Sequence, residues 1–225
     1  MARLYIRGTI STLIGALAFA ALVFGGAGTL NYWQGWLFFA VFEGCSIALG
    51  IYLAITNPKL LERRMSAGPL AEKETSQRII ITLVMIGFIA LLFVPALDHR
   101  FGWSSMPPSV SVAGNALVAL SFVIFFYVLR ANSYSASTIQ VFEGQTVVSI
   151  GPYALVRHPM YSGALILLIG IPLALGSWWG LPVAVLFLPV LAWRLIDEER
   201  YLAKNLPGYA EYIGKVPYRL VPQVW

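Results

Sequence analysis

Four stretches of this chain, roughly residues 8–28, 34–56, 78–97 and 110–130, are predominantly apolar runs of about membrane-spanning length. No other feature restricts the fold as strongly. Inside hydrocarbon every backbone N–H and C=O must find a partner within the chain, which leaves helices or a closed barrel. The runs do not alternate apolar with polar residues, so they predict helices. The whole chain of 225 residues is 59% hydrophobic and only 11% charged. Its mean hydropathy of +0.76 lies outside the range of soluble domains. Two shorter runs, 160–175 and 181–196, are separated only by GSWWG at 176–180. They predict a tight helical hairpin. The expected architecture is an all-α integral membrane protein of four ordinary transmembrane helices plus a C-terminal helical hairpin, followed by a cytoplasmic amphipathic tail. It forms one domain over 1–225, with 1–130 supplying the N-terminal transmembrane helices and 131–225 the connector, hairpin and tail. The first run follows Arg3 and Arg7, as in a signal sequence, but its length and direct lead into a second span predict an uncleaved helix.

The net charge of +5 is explained mostly by topology. With a cytoplasmic N-terminus, that side receives Arg3, Arg7, Lys59, Arg63, Arg64, Lys73, Arg78, Arg130, Arg157, Arg194, Arg200, Lys204, Lys215 and Arg219, and the other side only Arg100. Trp33, Trp36, Trp103, Trp178 and Trp179 fall at the opposite, outer ends, where amphipathic rings favour the interface. A multi-pass protein with its N-terminus and active site cytoplasmic is expected, with membrane lipids as neighbours and no nucleic-acid partner. Oligomeric state is left open by the sequence.

Three polar parts face the cytoplasm on this reading: 57–77, 131–158 and 194–225. The first, with Glu62, Arg63, Arg64, Glu72, Lys73 and Glu74, reads as a solvated interfacial segment after the helix stop at Asn57–Pro58. The connector is rich in hydroxyls and amides (Ser133, Ser135, Ser137, Thr138, Gln140, Gln145, Thr146), which suits either a linker or the lining of a polar ligand site. In GPYALVRHPMYSG, 151–163, Pro159 can open a helix, which places Arg157 and His158 at a positive helix terminus. Cations there need a negative or hydrogen-bonding neighbour, unless Arg157 merely snorkels to headgroups. The hairpin brings Arg194, Asp197, Glu198 and Glu199 back to that place, either as a structural clamp or as ligand-holding groups. Residues 200–212 continue as an amphipathic stretch lying over the site or on the headgroups. Glu43, inside the second run, either lines a passage or bonds to a neighbouring helix. His99, beside Asp98 and Arg100, reads as loop solvation. Cys45 can form no intrachain disulfide, and two histidines with one cysteine make no metal-ligand pattern. Glycine-rich phosphate loops and a Gly-x-Ser-x-Gly elbow are absent.

Residues 140–219 resemble the isoprenylcysteine carboxyl methyltransferase family of integral-membrane methyltransferases, which is related to the phospholipid methyltransferases. The matching elements are Gln140, Thr146-Val147-Val148, Gly151-Pro152-Tyr153, Arg157-His158-Pro159-Met160-Tyr161 with Gly163, then Arg194, Glu198-Glu199, Gly208-Tyr209, Tyr212 and Val216-Pro217. The resemblance implies an S-adenosylmethionine-dependent enzyme. It places Gln140, Gln145, Thr146, Val147, Val148, Tyr153, His158, Pro159, Met160, Tyr161, Glu198 and Glu199 on the cofactor, and Arg194 and Glu199 nearest catalysis. Gln145 stands where some relatives carry histidine. The implied acceptor is lipophilic, with the carboxylate of an isoprenylcysteine-like or other prenylated substrate favoured. A phospholipid or amine N-methyltransferase, an NADPH-dependent reductase of the sterol-reductase type, and a non-enzymatic membrane scaffold stay open beside it.

Overall fold

A computed structural model describes residues 2–72 and 74–225, with the side chains of Ala2 and Arg3 excepted. Arg3 and Lys73, two of the cations counted above for orientation, therefore lie outside the described side chains. The described residues form eight α-helices and no strand. They are α1 (Ala2–Ala20, prolonged by a π-helical turn at Ala21–Gly25), α2 (Trp33–Thr56), α3 (Pro58–Met65), α4 (Thr75–Phe101), α5 (Pro108–Ala131), α6 (Pro159–Ala174), α7 (Gly180–Asn205) and α8 (Tyr209–Lys215). Five helices, namely α1 with its extension, α2, α4, α5 and α7, are long and apolar enough to cross a bilayer. Large apolar residues such as Leu17, Ile55, Ile86 and Leu186 remain exposed along them, as lipid-facing surfaces require. The chain is an all-α integral membrane protein.

Two expectations are corrected. The second hairpin helix does not end near residue 196 but continues to Asn205, so α7 has full spanning length and only α6 is short. Hydropathy drops at Arg194, yet the helix persists, and Arg194, Asp197, Glu198 and Glu199 are each met by a partner from elsewhere in the chain. The 57–77 segment is also not simply solvated. Asn57 ends α2 and caps α3, its side chain accepting from the Leu60 N–H at 3.1 Å while Pro58 takes the first helical position. Leu60 is then fully buried against Leu53 and Leu129, which docks α3 on the bundle. Further along, Glu72 is only 3% exposed.

The core runs through the middle of the bundle around Phe38, Leu91, Leu92, Val118, Ile171 and Leu175. Phe19 packs its ring 5.2–5.6 Å from those of Phe38, Phe39 and Phe42. Helices α5 and α6 pack closely against each other. A Cβ at Gly163 would lie 2.7 Å from the Phe125 ring, and one at Gly114 would collide with the backbone of α6. Small residues permit this approach where apolar helices gain nothing from expelling water.

At the tryptophan-rich end, Asp98 is buried and accepts from the Ser104 N–H (2.7 Å), Ser104 Oγ (2.6 Å) and Ser177 Oγ (2.5 Å). It ties α4 to the loops before α5 and α7. Tyr32 donates to the Leu175 carbonyl at 2.6 Å, and the His99 ring stacks on Tyr32 with centroids 3.9 Å apart. His99 is exposed but not a free loop group.

Candidate functional site

The charged end is organised by two ionic knots with a cavity beside them. The first lies under the start of α6. Glu199 Oε1 accepts from Arg157 Nε at 2.7 Å and lies 3.2 Å from His158 Nε2, while Oε2 accepts from Arg219 Nε at 2.9 Å. Arg157 also donates to the carbonyls of Val216 and Pro217, both at 2.8 Å. Backbone bonds from the Arg157 and His158 N–H groups to the Tyr218 and Arg219 carbonyls fasten the C-terminal strap across the helix entrance. Arg157 is thus buried and engaged through Nε and Nη1, and does not snorkel. The positive helix terminus noted in the sequence is balanced by the Glu199 carboxylate.

The second knot centres on Arg194, also buried. It donates to Glu72 Oε1 (3.0 Å), the Ser137 carbonyl (3.0 Å) and Gln77 Oε1 (2.5 Å). Glu72 Oε2 accepts from the Ile139 N–H at 3.3 Å, and Gln77 and Ser76 both donate to Asp197. Three distant parts of the chain, the segment before α4, the connector and α7, are joined here. Glu72 and Gln77 escaped the sequence reading, since nothing in local hydropathy distinguishes a buried acid in a charged loop from a solvated one.

The cavity encloses about 420 Å3, within the range of small-molecule sites. Gln140, Gln145, Thr146, Val147, Val148, Tyr153, His158, Pro159, Met160, Tyr161 and Glu198 all line it, as does Arg194. Glu199 does not: both its oxygens are spent in the first knot. The opposite wall is apolar, with Phe88, Phe125, Leu168, Ile171, Phe187 and Leu191. A polar compartment therefore grades into one made of membrane-helix side chains. Leu206, Tyr209, Tyr212 and Val216 pack on Val141 and Val147 and cover the connector side, so the amphipathic tail lies over the site.

Hydrogen-bonding capacity within the cavity is unequal. Tyr161 donates to Glu198 Oε2 at 2.5 Å, which leaves Oε1 without a partner among the described residues and able to accept from a hydroxyl or ammonium group. Gln145 spends its carbonyl on the Phe142 N–H and keeps its amide donors, whereas Gln140 spends a donor on Thr138 Oγ1. Tyr209 lines the cavity and its hydroxyl is buried with no hydrogen-bond partner among the described residues. A buried hydroxyl without a partner costs on the order of 1–3 kcal/mol, which a polar ligand would recover. Burial holds the Tyr153, Tyr209 and Tyr212 phenols above their ordinary range, so all three are neutral. Of the five N–H donors of an arginine, Arg194 has three engaged by Gln77, Glu72 and the Ser137 carbonyl, and it lines the cavity beside Tyr161. Among the described residues no group of His, Cys, Asp and Glu is placed to hold a metal ion. Glu43, half-buried on α2, lines neither this cavity nor its neighbour.

Residues 110–207 match the sequence model of the phospholipid methyltransferase family. The matched stretch comprises nearly all of α5, the connector, α6 and α7, the elements that build most of the cavity. The Delta(14)-sterol reductase of Mus musculus is 32% identical over 127 residues, covering 48% of this chain and 30% of the reductase. The cobalt-zinc-cadmium resistance protein CzcN of Cupriavidus metallidurans is 32% identical over 80 residues, 33% of this chain and 35% of CzcN. The chain thus aligns with only about a third of the length of these curated relatives.

Proposed function

We propose that this protein is a membrane methyltransferase that binds S-adenosylmethionine in the 420 Å3 cavity and methylates a lipophilic acceptor. The observation that carries the reading is that residues scattered over the connector, the Arg-His-Pro segment and α7, within the stretch matched to a methyltransferase family, converge on one cavity that is polar on one side and mainly apolar on the other. The donor set suits the cofactor. Glu198 offers a carboxylate to hydroxyl or ammonium groups, Tyr209 an unpartnered hydroxyl, and Val147, Val148 and Met160 apolar contact for a flat ring.

S-adenosylmethionine, when bound, supplies a methyl group on a positively charged sulfur. The protein's task is mainly alignment and exclusion of water, and the tail lid and apolar wall provide both. An acceptor carboxylate needs no base, and a cation lining the cavity is enough to orient it; this favours an isoprenylcysteine-like acid. An amine acceptor would need its proton removed, for which Glu198 is the carboxylate at hand. The acceptor enters from the apolar side and the cofactor from the charged side, which we assign to the cytoplasm on the lysine and arginine asymmetry. A second reading, an NADPH-dependent reductase, is favoured by the sterol-reductase match.

Calorimetric titration of the detergent-solubilised protein with S-adenosylhomocysteine and, separately, NADPH distinguishes them. Micromolar binding of the first, weakened about tenfold or more in Glu198→Gln, is expected for loss of a charge-assisted hydrogen bond. Binding of NADPH alone would establish the second reading, and binding of neither by folded protein would refute both.

A further inference from the structure

Beside the main cavity lies a second one of about 310 Å3, bounded by α2 and α5. Its lining is apolar, with Phe42, Leu49, Leu53, Phe122 and Leu129 among the residues, apart from Ser46 and one cation, Arg64. Arg64, Phe125 and Leu167 line both cavities, so the two are neighbours with a shared wall. None of the residues assigned above to the cofactor lines the second.

Arg64 differs from the other arginines at this end. Arg194 is paired with Glu72, and Arg157 and Arg219 with Glu199. Arg63 lies over the Phe142 ring at 3.9 Å and donates to the Ser133 carbonyl at 2.9 Å. Arg64 has no carboxylate partner among the described residues, and its guanidinium reaches only the Ser135 carbonyl, at 3.5 Å, beyond good hydrogen-bond distance. Its position is nevertheless imposed. Leu60, one helical turn earlier, is fully buried, and the Ser137 hydroxyl holds the Arg64 carbonyl at 2.8 Å. Burial also pulls the guanidinium below its ordinary range. A half-buried cation that lines two cavities with most of its N–H fork unused by the protein is open to an anion, and a carboxylate or phosphate fits that fork best.

We propose that Arg64 is the receptor for the anionic group of an amphiphilic acid whose apolar tail occupies the α2–α5 cavity. This places the acid's head at the entrance of the cofactor cavity. The chemistry names a single-chain carboxylate or phosphate amphiphile, and excludes a neutral alcohol or a soluble anion lacking a tail. That the amphiphile is the methyl acceptor rests on the reading of the preceding subsection; that it binds at Arg64 does not.

The test is titration of the protein in neutral-lipid nanodiscs with tetradecanoate, tetradecyl phosphate and tetradecanol. Wild type is expected to prefer one or both anions to the alcohol by about tenfold or more, and Arg64→Gln to abolish that preference. The ratio of the two anions identifies carboxylate or phosphate as the better head. Gly50 lines the second cavity, and a Cβ there meets nothing within 4 Å, so Gly50→Leu starts from open space and is expected to occupy part of the cavity. That variant is expected to weaken all three amphiphiles together while S-adenosylhomocysteine binding is kept. An anion preference that survives Arg64→Gln overturns the proposal, as does tetradecanoate affinity untouched by Gly50→Leu. Equal loss of anion and S-adenosylhomocysteine affinity in Arg64→Gln would also overturn it, by assigning Arg64 to the cofactor. Arg64-dependent anion binding in a protein that binds no S-adenosylhomocysteine would leave this inference standing and refute the methyltransferase reading.

Discussion

Glu72→Ala removes one member of the buried pair that joins the segment before α4 to α7. The Glu72 and Arg194 side chains are 2% and 9% exposed and 3.0 Å apart, so bulk water cannot take the place of the lost carboxylate. Arg194 would keep two neutral acceptors, Gln77 and the Ser137 carbonyl, and the Ile139 N–H would lose its only side-chain acceptor. Removing one partner of a buried ion pair costs about 3–5 kcal/mol, and the long 3.3 Å bond to Ile139 adds little to this. Equilibrium unfolding in mixed micelles should show that loss, against less than about 0.5 kcal/mol for Glu62→Ala, an exposed acid on α3. Combining Glu72→Ala with Arg194→Met should cost less than the sum of the single changes, with a coupling of about 1.5–3 kcal/mol, because no buried charge is then left alone. Because Ser137 and Ile139 belong to the connector, Glu72→Ala should also weaken S-adenosylhomocysteine binding. A cost below about 1 kcal/mol with additive double-mutant energies would show that the pair is not a tether and refute this account of the site.

Glu199→Gln removes the charge shared by Arg157, His158 and Arg219, and is expected to free the 216–220 strap, seen as faster proteolysis there under native conditions. Unchanged protection would mean that backbone bonds alone fasten the strap. Asp98→Ala, at the opposite end, strands three donors and should lower stability by about 2–3 kcal/mol in the same unfolding assay while leaving S-adenosylhomocysteine affinity intact.

Much of the cavity was legible because its residues cluster in two informative stretches. The connector stands out as polar between apolar helices, and Arg157-His158-Pro159 as charge at a helix start; both deliver their residues to the cavity. What the sequence hid was which acid meets which cation. Helical spacing relates Arg194 to Glu198, four residues on, but in the fold Arg194 turns to Glu72, 122 residues away in sequence, and Glu198 to Tyr161. Glu199 does not itself line the cavity, and its oxygens meet Arg157, His158 and Arg219.

The sequence alone determined that the chain spans a membrane as helices, roughly where the long helices lie, and which end is charged. These follow from local properties: a run of apolar side chains long enough for the bilayer, a proline or capping residue at its edge, and the obligation of every backbone group to be paired in lipid. Only the tertiary structure decided that α7 runs on past its charges, that the 57–77 segment folds back to bury Glu72, and that Arg64 stands between two cavities without an acid. Burial and pairing of a charged side chain depend on groups brought from distant parts of the chain, and the cost of leaving such a charge unpaired is set by that assembled surrounding rather than by its neighbours in sequence.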